Sequence, residues 1–181
     1  METSLILTEA QEELFSQLVE ELNVNQKLLD SVYDEIDNYD SPDKFIVMNF
    51  THYGEPKGQP RARMSTKLNI MFDGSKSLRQ TILEQVMARM PKNFKPTSNY
   101  IECDITFYLN TPKGFSKRDT LLAELGILKP TKKPDIDNLQ KLIFDSLNKV
   151  LYADDSSVVT CNARKLYSCK PRTEISLRIK K

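Results

Sequence analysis

The sequence predicts an α+β domain, a mixed β-sheet with helices packed on one face, carried behind an N-terminal helical extension. Three observations predict it. Over residues 44–181, runs of period two and period 3.6 follow the order β-α-β-(loop)-α-β-β, which favours helices layered on a mixed sheet. Residues 1–43 show helical periodicity alone. The charge changes sign at the same boundary. Residues 1–43 hold twelve Asp/Glu against Lys27, for a net −11, and residues 44–181 hold 25 Lys/Arg against 13 Asp/Glu, for a net +12. The overall +1 thus hides a polyanion-binding body behind an acidic arm.

Residues 8–22 read as an amphipathic helix, with Leu14, Leu18 and Leu22 every four residues and Phe15 and Val19 beside them. Thr8 caps it, and Glu12 and Glu13 lie near its positive end. A second helix covers 25–37 with Leu28, Leu29, Val32 and Ile36 inward, and the turn-rich run Asn38 to Asp43 is a linker. Two regions follow, an acidic extension over 1–43 and a body over 44–181. The body opens with a strand from Lys44 to Phe50. A loop from Gly54 to Arg63, stiffened by two prolines, carries three cations. Gly74 and Ser75 precede a helix over 77–90 with Leu78, Ile82, Val86 and Met90 as its buried stripe, and Pro91 stops it. Tyr100 to Leu109 alternates as a strand with Ile101, Cys103, Ile105, Phe107 and Leu109 on one face. Residues 110–133 form a long basic connection with a short helix at 118–125. A helix from Asp137 to Lys149 then buries Leu139, Leu142, Ile143 and Leu147, and strands over 157–165 and 173–179 close the body.

Composition excludes several classes. No apolar stretch approaches the ~20 residues that span a bilayer, and the start Met1-Glu2-Thr3 has no signal-like character, so a cytoplasmic protein is expected. Cys103, Cys161 and Cys169 form no CxxC pair and read as reduced thiols. His52 is the single histidine, which argues against a His/Cys zinc site and leaves a Ser-His-Asp triad no other base. Five glycines form neither GxGxxG nor a phosphate loop.

The chemistry lies between Lys132 and Asp155, KKPDIDNLQKLIFDSLNKVLYADD. Pro134 favours extended geometry just before it. If Asp135 to Asp137 is extended, the two carboxylates project to one side, and Asp137 suits the N-cap of the helix. Such a pair repels itself unless a cation lies between, and Mg²⁺ prefers oxygen ligands. Asp155 follows one helix length later, so the loop must double back for it to join, or a second copy of the chain must supply it. Lys141 lies one turn beyond Asp137 on the same face, able to pair with it or to meet a phosphate, and Asp145 reads as its helix-face partner. Asp154 reads as a turn residue or an outer group of the cluster. By itself, Asp-x-Asp ahead of a helix also fits plain capping.

The run Asp135-Ile136-Asp137-Asn138-Leu139-Gln140-Lys141, then Asp145 and Leu147, then Asp154-Asp155 and Val158-Val159, resembles the RusA-type Holliday junction resolvases. The likeness is specific over 132–165 and looser over 46–180, where the loop Pro60-Arg61-Ala62-Arg63 matches the family's basic loop. It implies metal binding by Asp135, Asp137 and Asp155, an essential Lys141, and a homodimer that presents two sites to a four-way junction. The expected activity is therefore Mg²⁺-dependent (alternatively Mn²⁺-dependent) hydrolysis of branched DNA in recombination and repair, in a bacterial or prophage setting. Lys57, Arg61, Arg63, Lys132 and Lys133 are nominated for DNA binding, with Lys113, Lys117 and Arg118 weaker candidates. The competing readings are a nuclease for forks or flaps, a non-catalytic DNA-binding protein of the same fold, and a DNA-independent phosphohydrolase. The acidic arm reads as a cover for the basic cleft, an addition to the dimer interface or a small folded cap.

Overall fold

A computed structural model describes residues 8–59, 63–65, 70–72 and 76–181. Chain contacts divide it into Met1–Ile46 with Lys181, and Val47–Lys180.

In the first unit, α1 (Glu9–Glu21) and α2 (Gln26–Asp37) are joined by a short turn. Thr8 opens α1 with a reciprocal box: its hydroxyl accepts from the Gln11 N–H at 3.3 Å, and its own N–H donates to Gln11 Oε1 at 2.9 Å. Asn25 caps α2, accepting from the Leu28 N–H at 2.9 Å. The inward stripe differs from the expectation. Phe15, Val19, Leu29, Val32 and Ile36 are half-buried, and Phe15 meets Tyr33 edge-on at 6.0 Å, whereas Leu14, Leu18, Leu22 and Leu28 are exposed. Phe15 and Val19 therefore take the half-buried side of α1, and the leucine row lies on its exposed side.

The second unit holds a four-stranded sheet in the order β1-β6-β4-β5, from β1 (Phe45–Tyr53, its first two residues falling in the first unit), β4 (Ile101–Asn110), β5 (Val158–Ser168) and β6 (Arg172–Lys180). β4 runs antiparallel to β6 and parallel to β5, so the sheet is mixed as expected. Alternation decides its two faces. Met48, Phe50, Ile101, Cys103, Ile105, Phe107, Leu109, Ile175, Leu177 and Ile179 are buried. They lie beneath α3 (Lys76–Met87) and α5 (Ile136–Leu147), which contribute Ile82, Val86, Leu139, Leu142, Ile143 and Leu147. The reverse face is polar. Arg178 pairs with Glu102 at 3.0 Å there, and the Arg172 guanidinium lies 3.7 Å above the Tyr108 ring. Helices α3 and α5 therefore share one face of the sheet.

His52, the single histidine, is buried between β1 and α3, where Nδ1 meets Gln85 Oε1 at 2.9 Å, so it reads as packing. Two elements add to the expected order. β2 (Arg63–Ser65) and β3 (Ile70–Phe72) form an antiparallel pair of their own, and α4 (Lys117–Glu124) confirms the short helix in the connection. α3 ends at Met87, short of the expected Met90, and α5 spans 136–147 rather than 137–149. Asn148 leaves helical geometry and Lys149 has φ +63°, which ends the helix. No helix among the described residues is long and apolar enough to cross a membrane.

Candidate metal and nucleic-acid site

The site is built at the start of α5. Asp135 is the N-cap, with extended backbone at φ −74° and ψ 146°, and its carbonyl accepts from Leu139 N–H at 3.1 Å. Asp137 lies inside the first turn, so it is not the cap. Ile136 is already helical, which also overturns the premise that Asp135 to Asp137 is extended. The Asp135 side chain makes no capping bond. Both carboxylates are exposed, and neither takes a hydrogen bond or ion pair from the described residues. Two unsatisfied anions therefore stand at the positive end of a helix dipole, which tolerates their charge.

The run ahead of them is pinned from below. Lys165 on β5 donates to the carbonyls of Lys132 and Pro134 at 3.1 and 3.0 Å. From the other side comes the loop that follows β1. The Gln59 N–H donates to the Asn138 carbonyl at 3.0 Å, and a Cβ on Gly58 would come within 3.2 Å of Asn138 Cβ. A side chain there would require Asn138 to give way by a few tenths of an ångström, so glycine eases that approach. Gly58, Gln59, Lys133, Pro134, Asp135 and Asn138 line an open cleft of about 600 Å³.

Of the residues nominated from sequence, the cleft brings Lys133 beside Asp135. Lys57 and Lys132 are exposed on the two segments that bound it. Arg61 lies outside the described residues, as does the Arg63 side chain, although the Arg63 backbone belongs to β2. Lys141 is exposed one turn beyond Asp137 and forms no ion pair with a described residue. Its expected pairing with Asp145 is not made. Asp145 instead accepts from Gln59 Nε2 at 2.6 Å and faces Arg79 at 3.8 Å. Sequence reasoning missed Lys165, Gln59 and Arg79 as supports of the site, because each acts across a long separation in the chain.

Asp155 is elsewhere. It is exposed in the short 3₁₀ turn Asp155–Ser157 that leads into β5. The preceding loop is tied down at the far end of α5: Thr97 N–H donates to the Leu151 carbonyl and Ala153 N–H to the Thr97 carbonyl, both at 3.0 Å, and buried Tyr152 donates its hydroxyl to the Phe144 carbonyl at 2.9 Å. The twelve residues of α5 span about 18 Å at ~1.5 Å per residue. Asp135 and Asp137 lie at one end and Asp155 past the other. Within one chain the loop does not double back as the convergent reading requires, and among the described residues no group of three His, Cys, Asp or Glu is placed to hold a metal ion. Asp154 is a turn residue: it accepts from Ser156 N–H at 3.0 Å, which holds its carboxyl below the usual range.

The cysteines show a second local environment. Cys103 and Cys161 are direct partners on β4 and β5, and Gln140 Nε2 on α5 approaches Cys161 Sγ at 3.1 Å. Hydrogen bonds from the Cys103 thiol and from Gln140 favour the Cys161 thiolate and lower its pKa to about 7, while the bond to Cys161 and then burial push Cys103 up. Thiolate grows as pH rises through that value. Alkylation of Cys161, followed by peptide mass spectrometry, is therefore expected to show a midpoint near pH 7. A Cys161 midpoint at or above about 8.5, the value of an unperturbed thiol, would contradict this environment.

The sheet beneath α3 and α5, the exposed acids at the start of α5 and the adjoining cleft with Lys133 define an α+β domain with a candidate site for a cation and a phosphate. A sequence model described as endodeoxyribonuclease RusA matches residues 53–178, and the chain belongs to that family. It is 36% identical over 138 residues to the uncharacterized protein YqaN of Bacillus subtilis (strain 168), an alignment covering 72% of this chain and 95% of YqaN.

Proposed function

We propose that this chain is a divalent-metal-dependent, structure-selective endonuclease that resolves Holliday junctions in recombination and repair, and that it works as a homodimer. The observation that carries the reading is the pair of exposed carboxylates at the start of α5, without a partner among the described residues, beside a cleft lined by Lys133 and Gln59. Membership of a family of endodeoxyribonucleases supports it. The donor set is all carboxylate oxygen, which suits a hard cation such as Mg²⁺, with Mn²⁺ as the alternative. One chain supplies two of the three acids. We infer that Asp155 of a second copy completes each site, and a two-fold dimer does this twice. When bound, the cation lowers the pKa of a water and neutralises charge on a phosphate.

The chain's own groups do the rest. Asp135 and Asp137 hold their positions because the Lys165 and Gln59 contacts fix the backbone on both sides. Lys141, free of ion pairs with described residues, can turn its ammonium to the developing charge on the scissile phosphate. Lys57, Arg61, Arg63, Lys132 and Lys133 bind flanking phosphates. Residues 1–43 form an acidic extension to a nuclease domain over 44–181. Similarity to a bacterial protein supports a bacterial or prophage cytoplasm as its setting.

The test is cleavage of labelled four-way, three-way and linear duplex DNA with and without Mg²⁺. Paired symmetric cuts in the four-way junction, lost on chelation, are expected. Equal cutting of linear duplex would overturn junction selectivity, and undiminished cutting under chelation would overturn the metal site.

A further inference from the structure

Asp145 lies two turns beyond Asp137 on the side of α5 that faces α3. Its contacts are unequal. Gln59 Nε2 donates to Oδ2 at 2.6 Å, while the Arg79 guanidinium is 3.8 Å from the same oxygen. A bond to a carboxylate this short is charge-assisted and stronger than one between neutral groups. It also settles which way the Gln59 amide points, because an ionised carboxylate only accepts, and Gln59 Oε1 is left buried without a partner among the described residues. The same residue is held a second time through its backbone, by the Asn138 carbonyl at 3.0 Å. Two bonds from one glutamine, to acceptors seven positions apart on α5, fix the loop both along the helix and around it. That helix carries Asp135, Asp137 and Lys141. The loop carries Lys57, and in sequence it runs from Gln59 straight into Pro60-Arg61-Ala62-Arg63.

We propose that Asp145 is a positioning residue for DNA: by holding Gln59 it fixes the segment over 54–59, which carries Lys57, against α5, and so sets the distance between that cation and the carboxylates at Asp135 and Asp137. The proposal rests on the nuclease reading. The plainer alternative is that Asp145 serves stability alone, through Arg79. Asp145→Asn separates the two, because its Oδ1 still accepts from Gln59 while the charge facing Arg79 is gone.

The experiment uses the full chain, the variants Asp145→Ala, Asp145→Asn and Gln59→Ala, and the double variant Asp145→Ala with Gln59→Ala. It measures junction affinity over a salt series without divalent metal, single-turnover cleavage with Mg²⁺, and Tm. Asp145→Ala and Gln59→Ala are each expected to weaken junction binding about tenfold and to lower the slope of log Kd against log salt by about one, the loss of one phosphate contact. The double variant should fall no further than either single one, since both remove the same bond. Asp145→Asn should recover most of the affinity and the slope. Gln59→Ala, a loop residue, keeps the test decisive if Asp145→Ala folds poorly. Equal loss in Asp145→Ala and Asp145→Asn with an unchanged salt slope would overturn the proposal in favour of Arg79. So would wild-type behaviour of Gln59→Ala. Wild-type protein that neither binds nor cuts a junction removes the nuclease reading and this proposal together, whereas normal wild-type cutting matched by Asp145→Ala removes this proposal alone.

Discussion

Asp135→Asn and Asp137→Asn are each expected to lower junction cleavage by at least ~10³-fold, about 4 kcal/mol of transition-state stabilisation, while junction affinity stays level or tightens. The two effects have one cause. Both carboxylates are exposed and unpartnered among the described residues, so their charge serves no ion pair within the described chain. Converting one to an amide removes an anionic metal ligand and also removes an anion that repels DNA phosphates. The substitution leaves the fold nearly untouched. Asn is as good an N-cap residue as Asp, and the Asp135 side chain makes no capping bond to lose. Asp137 contributes only the attraction of a carboxylate to the helix dipole, roughly 0.3–1 kcal/mol. Single-turnover cleavage and gel retardation on the same preparations measure both quantities. Cutting within tenfold of wild type by either variant would remove that residue from the site.

Much of the body was legible because its core faces obey simple periods. Ile101, Cys103, Ile105, Phe107 and Leu109 alternate without interruption, and all are buried on β4. Leu139, Leu142, Ile143 and Leu147 repeat at helical spacing, and all are buried on α5. The resemblance carried by Asp135 to Lys141 matched the family to which the chain belongs. What escaped the sequence depends on contacts between distant segments. β2 and β3 are three residues each, too short for alternation to register. Choosing between Asp135 and Asp137 as the cap required knowing that Ile136 is the first helical residue, and spacing does not fix helix ends to one position. The leucine row of α1 was the more regular pattern, yet the Phe15–Tyr33 contact with α2 decides which side is covered. Gln59 and Asp145 are 86 positions apart, and neither residue type announces the other.

Asp155 is the instructive case. Its spacing from Asp137 told the length of the intervening helix and nothing about the return path. The path is set by Thr97 and Tyr152, which hold the loop at the far end of α5. The chain therefore keeps its acids in two groups, and a shared site follows if both groups bind one ion.

Mixing tests this directly. Asp135→Asn and Asp155→Asn proteins are each expected to be inactive. Unfolded, refolded together and assayed for nicking of a labelled junction with Mg²⁺, they should regain activity. In a two-fold heterodimer one site carries both substitutions and the other carries neither. Random pairing of equal amounts makes half the dimers mixed, each with one sound site, or about a quarter of the wild-type sites. Single nicks rather than paired cuts should dominate the product. A mixture as inactive as its two parents, beside wild-type protein that survives the same refolding and still cuts, would contradict a metal site built from Asp135 and Asp137 of one chain and Asp155 of the other.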